Sequence, residues 1–242
     1  MYEPRTYRRW VKGTDLISFN VVVKETDLYL RASANLKRKA HRLVIKYRSM
    51  LERYIEQHPL FLTSLTPLPV ADDAPQIVKA MSEATAKVEV GPMASVAGAI
   101  AEFVGTELLA YSPEIIIENG GDIYLRSLKK RLVGIYAGKS PLTGKIGLEI
   151  EGGETPLGIC TSSGTVGHSL SFGIADAVVV LSKSATLADA AATAIGNMIV
   201  QPSDIPKGIE FVKGIDGLKG VVIIEGNNMG VWGEVKICQM SG

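Results

Sequence analysis

The sequence is most informative first through what it lacks. It has only two cysteines, Cys160 and Cys238, in 242 residues. That is too few for a disulfide scaffold and fits a reducing compartment. Its net charge is +1, so no global field draws it to nucleic acid or an acidic membrane. No apolar run is long enough to span a bilayer. The opening stretch, MYEPRTYRRWVKGTD, holds no apolar core of a secretory signal. Low-complexity linkers and abrupt composition shifts are also missing. These absences predict a cytoplasmic protein with neither nucleic acid nor membrane as partner, folded as one domain over residues 1–242. What is present, 46% hydrophobic and 21% charged residues, is a globular composition.

Along the chain, LISFNVVVKETDLYLRAS reads as two short strands around the polar break Lys24-Glu25-Thr26-Asp27, a hairpin. NLKRKAHRLVIKYRSMLERYIEQHP follows. Leu36, Ala40, Leu43, Val44, Tyr47, Leu51, Tyr54 and Ile55 fall on one helical face. Asn35 is its N-cap candidate and Pro59 its stop. Its cations Lys37, Arg38, Lys39, Arg42, Lys46 and Arg48 read first as a solvated face, with phosphate or nucleic-acid binding as the alternative. DDAPQIVKAMSEATAKV predicts a helix with Asp73 as cap and Pro75 in the first turn. PMASVAGAIAEFVGTELL predicts an Ala- and Gly-rich helix that can sit close to a neighbour. EIIIENGGDIYLRS reads as one buried strand broken by glycines. RLVGIYA, KIGLEIEG, TPLGICT and ADAVVVLS add strands, ATLADAAATAIGNMIV and PSDIPKGIEFVKGI helices, and KGVVIIEG and GVWGEVKIC closing strands. The strands cluster without regular helix alternation, which favours α+β over a doubly wound parallel sheet.

Several residues could carry chemistry. Asn119-Gly120-Gly121-Asp122 ends an apolar run; paired glycines there make a tight turn or let backbone approach a ligand. Thr161-Ser162-Ser163-Gly164 stacks hydroxyls at a turn, either an anion nest or an ordinary polar turn. Cys160 is a nucleophile or sulfur carrier if its pKa is depressed, and otherwise a buried inert thiol. His168, in a Gly- and Ser-rich loop, is a candidate catalytic group. Asp189 and Thr193 stand four residues apart among alanines, on one helical face. They offer hard oxygen ligands to Mg²⁺ or Ca²⁺, or else serve the helix itself by dipole stabilisation and back-bonding.

In order, IIIENGGDIYL, LVGI with a later Pro141, GICTSSG and ADAAATAIG resemble the ApbE superfamily, the FAD:protein FMN transferases once called thiamine-biosynthesis lipoproteins. GPMASVAGAIAE, ENGGDIYL, CTSSGTVGHSLSFG and ADAAATA are more similar still to a shorter, uncharacterised ApbE-like family of bacteria and archaea. The resemblance covers about residues 90 to 200. It implies an α+β fold of mostly antiparallel sheet with flanking helices and a cleft for FAD or a related flavin nucleotide. It implies Mg²⁺ on Asp189 and Thr193 beside the pyrophosphate, and a cleft lining of Asn119, Gly120, Gly121, Asp122, Thr161, Ser162, Ser163 and Gly164. The chemistry implied is metal-assisted attack on a pyrophosphate. The transferases' His-x-x-Asp-Pro-x-Thr-Gly segment is shortened here to TVGHSLSFGIADAVVV, and no lysine matches their Ala-Lys-Gly helix start. The shorter family also implies a second role, in homocysteine synthesis from aspartate semialdehyde, with Cys160 as persulfide carrier. A third expectation is a binding protein without chemistry. The small-residue surfaces suit a homodimer and internal packing equally.

Overall fold

The computed structural model describes residues 15–165 and 171–240. It opens with β1 (Ile17–Val23) and β2 (Thr26–Ala32), then α1 (Lys37–Gln57), α2 (Leu60–Thr63), α3 (Gln76–Ala86) and α4 (Val96–Leu108). Strands β3 (Ile115–Asn119), β4 (Asp122–Arg126), β5 (Arg131–Gly134), β6 (Ile146–Ile150), β7 (Leu157–Ser162) and β8 (Ala177–Ser182) come next. The chain then forms α5 (Ala185–Met198), α6 (Ile205–Lys213), β9 (Leu218–Glu225), β10 (Asn228–Gly233) and β11 (Ile237–Gln239).

Eight strands form one sheet in the order β1-β2-β3-β4-β7-β8-β9-β10, each neighbour antiparallel. Strands β11-β6-β5 form a second, smaller sheet. The helices cover one face of the large sheet and the small sheet packs on the other. Alternation divides each central strand between two cores. On β8, Val178 and Val180 meet the helices, while Ala177, Val179 and Leu181 meet the small sheet. Burial on both faces is why AVVVLS shows no polar alternation: every residue of β8 is buried.

The expected α+β architecture holds, with local differences. EIIIENGGDIYLRS is two strands: Asn119 pairs with Asp122 across a two-residue turn. Gly120 (φ 70°) and Gly121 (φ 108°) occupy conformations that side chains rarely adopt, so the glycines make a hairpin within what looked like one strand. GVWGEVKIC divides between sheets, β10 pairing with β9 and β11 with β6. Pro75 takes the N-cap position of α3, one residue before the helix, and that end has no side-chain cap from Asp73. Asn35 sits one residue further out than a cap, accepting from the Lys37 N–H at 3.1 Å. Helix α2 begins directly after Pro59, the expected stop of α1, which sits at its N-cap position. The first turn of PMASVAG is a tighter 3₁₀ turn, Pro92–Ser95.

Candidate functional site around helix α5

Helix α5 is enclosed by the sheet on one side and by α3, α4 and α6 around it. From Ala185 to Gly196 only Asp189 and Thr193 escape full burial, and Asn197 continues their row. Positions i, i+4 and i+8 share a face, so this otherwise buried helix shows the exterior one polar stripe. The alanines are the condition for that enclosure. They let backbone approach backbone, and Gly98 of α4 shows how closely. A Cβ there would lie 2.3 Å from the Ala185 carbonyl oxygen and 2.8 Å from Asp189 Cβ.

The two helices cap each other. Asp189 Oδ2 accepts from the Gly98 N–H at 2.8 Å, and the Ala97 N–H also reaches its carboxylate, both at the start of α4. In return Glu102 of α4 accepts from Ser184 Oγ, the Thr186 N–H and Thr186 Oγ1 at 2.8–2.9 Å, at the start of α5. Each acid meets free N–H groups at a positive helix end. Asp189 thus caps α4 rather than serving its own helix as the sequence reading had it, and this bonding coexists with the partial exposure of the residue.

The β3–β4 turn abuts this pair. Asn119 Nδ2 donates to the Ala97 carbonyl at 3.0 Å, Gly121 N–H to Glu118 Oε1 at 2.8 Å, and Thr161 N–H to Asp122 Oδ1 at 3.2 Å. Asp122 is 6% exposed. Burial, and then the Asp189 charge, push its carboxyl well above the usual carboxylate range. Burial raises Asp189 to about 7, against the lowering effect of the Gly98 and Ala97 N–H groups. Two neighbouring buried acids that resist ionising together form a place where a cation would restore both charges. Among the described residues no three or more His, Cys, Asp and Glu side chains gather as a metal cage. A metal here would take Asp189, the Thr193 hydroxyl and Asp122 with oxygens from its own ligand or water.

The structure thus brings Asn119, Gly120, Gly121, Asp122, Thr161, Asp189 and Thr193 to one region, with Ser162 beside Gly196 of α5. Ser163 and Gly164 carry the turn onward, and Gly164 N–H donates to the Ala175 carbonyl at 2.9 Å. His168 lies outside the described residues. Cys160 is wholly enclosed; its thiol donates to the Ala185 carbonyl at 3.3 Å, and burial with the Asp122 and Asp189 charges pushes it well up. That is the opposite of what a nucleophilic thiolate needs. The sequence reading passed over two acids, Glu102 and Asp176. Asp176 accepts from Thr165 Oγ1 at 3.0 Å and the Gly226 N–H at 2.8 Å, tying the hydroxyl turn to the β9–β10 turn. Their available signal was a single acid inside an apolar run, AGAIAEFVG and FGIADAVVV. On α1, Lys37, Arg38, His41 and Arg42 line a shallow, open concavity apart from this region.

Comparison with known proteins follows the same lines. The sequence signature of a family described as AbpE bacteria matches residues 8–208. The UPF0280 protein of Methanococcus aeolicus is 43% identical over 230 residues, covering 93% of this chain and 90% of that protein. The UPF0280 protein of Methanopyrus kandleri is 41% identical over 235 residues, covering 94% and 95%. The flavinyl transferase ApbE of Pseudomonas stutzeri, apo form, aligns with TM-score 0.58 at 13% identity, covering 90% of this chain and 94% of that one. The ApbE protein of Thermotoga maritima aligns with TM-score 0.55 at 13% identity, covering 89% and 96%. At such identity the structural likeness speaks for the fold, and the sequence matches speak for the family. The chain has the ApbE fold and belongs to the AbpE bacteria family, an ApbE-like family whose relatives include these archaeal UPF0280 proteins.

Proposed function

We propose that the chain binds a flavin nucleotide such as FAD, with a divalent cation, along the exposed stripe of α5, and acts on its pyrophosphate. The observation that carries this reading is the stripe itself: from Ala185 to Gly196 the helix is buried except at Asp189 and Thr193, and Asn197 continues their row. Burying polar groups has a cost, and an enclosed helix that keeps a carboxylate and a hydroxyl at its one opening has a use for them. The solved ApbE proteins of the same fold add support, since the Pseudomonas stutzeri protein is a flavinyl transferase.

In this reading Asp189 and Thr193 hold Mg²⁺, with Asp122 adjoining. The β3–β4 turn and Thr161, Ser162, Ser163 and Gly164 flank the phosphates. A bound cation supplies neutralisation of charge on the phosphate oxygens when the phosphoanhydride is attacked. Asp189 orients through its bonds to α4, and Asp122 fixes the hydroxyl turn by accepting from Thr161 N–H. The sulfur-carrier alternative asks for a reactive Cys160 in surroundings that hold its proton.

Calorimetric titration of the metal-stripped protein with FAD, with and without Mg²⁺, tests this. Asp189→Asn is the better comparison than Asp189→Ala, because it keeps an acceptor for Gly98 N–H and removes the charge. Expected is Mg²⁺-dependent binding that Asp189→Asn loses while its circular dichroism stays native. A folded wild type that binds FAD under neither condition overturns the proposal. Binding without turnover of FAD would instead mark a binding protein.

A further inference from the structure

One segment leaves an apolar surface open to water. Between Gln57 and Ala71 the chain carries no Asp, Glu, Lys or Arg. Within it Leu60, Leu62 and Leu65 are 69%, 51% and 59% exposed. No other stretch of six described residues leaves three large apolar side chains so open. Scattered surface leucines are ordinary, but a contiguous apolar patch marks a binding surface. The backbone that displays them is braced. Phe61 is buried edge-on to Tyr54, with ring centres 5.1 Å apart. The Leu68 carbonyl accepts from Ser82 Oγ of α3 at 2.6 Å. Gly91 lets the Ser64 carbonyl come so near that a Cβ would stand 1.8 Å from its oxygen. Docking side chains held on such a base costs little ordering entropy.

Beside the leucines the surface is hollow. Tyr54, His58, Phe61, Leu68 and Pro69 line a concavity of about 240 Å³. Protrusion and hollow thus lie side by side on one uncharged patch. We infer that this patch is the interface of a homodimer, in which the leucines of each copy enter the other's hollow across a twofold axis. An isologous contact sets a surface against itself, so any charge on it meets the same charge. This patch carries none, whereas the Lys37, Arg38 and Arg42 end of α1 would repel its own copy. A net charge of +1 leaves little long-range repulsion between whole molecules. The apolar patch covers roughly 400 Å², half of one partner's share in a standard interface. Exposed Gln57, Thr63 and Thr66 supply a polar rim around it. An interface of that size gives a dissociation constant of about micromolar. The small-residue surfaces of α4 and α5, which suit a second copy by composition, already face each other at Gly98 and Ala185. The interface does not rest on the nucleotide reading.

Sedimentation velocity on the full chain, from about 1 to about 100 µM, brackets that constant. The wild type should show a monomer–dimer equilibrium across the range. Leu62→Asp changes a side chain already half in water, so its circular dichroism stays native. It would bury an unpaired carboxylate from each copy, which raises the dissociation constant about a hundredfold and leaves the variant monomeric. Leu62→Ala removes the contact without adding charge and weakens the dimer roughly tenfold. Leu132→Asp makes the same chemical change at a leucine of β5 that is 54% exposed, away from the patch, and leaves the equilibrium as in the wild type. A wild type that stays monomeric throughout overturns the proposal. So does a dimer that Leu62→Asp and Leu65→Asp both leave intact, because the contact then lies elsewhere. Equal weakening by Leu62→Asp and Leu132→Asp overturns it too, since added charge alone would then explain the loss.

Discussion

Helices α1 and α5 place their polar side chains under opposite constraints. Over 21 residues α1 buries Ala40, Val44, Tyr47 and Leu51 and leaves most of its circumference to water. Its cations are solvated or paired at the surface: Lys46 with Glu107, Arg48 with Glu25 and Glu52, Lys39 over the Tyr111 ring. Over 14 residues α5 buries nearly everything and leaves Asp189 and Thr193 only partly covered. A charge on α1 costs little to hold and says little about function. A charge on α5 must be bonded, protonated or neutralised, so its presence is evidence of a task. The same residue types thus carry different weight according to how much of the helix around them is covered.

The contrast fails most visibly if the enclosure of α5 is loose. Gly98→Ala puts a methyl group 2.3 Å from a backbone oxygen of α5, where no side chain can turn aside. The expected loss is about 3 kcal/mol, the upper range for overpacking. Urea unfolding measures it, and a loss below about 1 kcal/mol would mean the two helices part easily.

Glu102→Ala comes next. It strands Ser184 Oγ and the Thr186 N–H and hydroxyl at the start of α5, for an expected loss of about 2 kcal/mol. Glu102→Gln, which keeps an acceptor, should lose roughly half of that. Equal losses in the two variants would make charge, rather than capping, the source of the effect.

How far each helix could be read in advance follows from the same contrast. The apolar row of α1 is a property of spacing, and Ala40, Val44, Tyr47 and Leu51 were legible from it. Asp189 and Thr193 were also legible as a same-face pair, because i and i+4 fix that without any tertiary knowledge. The enclosure that gives the pair its meaning was not legible. It depends on Gly98 meeting Asp189 and on Glu102 reaching Thr186, contacts 91 and 84 residues apart in sequence. The β3–β4 hairpin escaped because Asn-Gly-Gly-Asp lies between residues buried on both strands, so no polar alternation flagged two strands. The division of GVWGEVKIC between two sheets is likewise set by partners, Val222 for Val231 and Leu148 for Ile237.

Titration of the metal-free protein sharpens the comparison further. The Asp189 pKa rises from 3.8 to about 7 on folding, so the folded state holds the proton more tightly. The stability linked to this group is fully present below pH 3.8, declines as pH rises, and levels off above about 7. Within that window the slope is up to about 1.4 kcal/mol per pH unit. Asp189→Asn removes this decline and should be the more stable protein at pH 8 without metal. Saturating Mg²⁺ should restore wild-type stability there, because the cation takes the place of the proton. Parallel pH profiles for the two proteins would place the carboxylate in water, as on α1.

The smallest effect expected is on α1 itself. Lys37, Arg38 and Arg42 are exposed. Solvent already screens their charges, and truncating them removes little packing. Arg38→Ala and Arg42→Ala should each change stability by less than about 0.5 kcal/mol. FAD and pyrophosphate affinity should stay as in the wild type, because the concavity these residues line includes no residue of the α5 stripe. The measurement is informative because a near-zero result is the demanding one. If either substitution weakened pyrophosphate binding as much as Asp189→Asn, the anion would be seated on the basic face of α1. The polar stripe of α5 would then be left with only its helix-capping work.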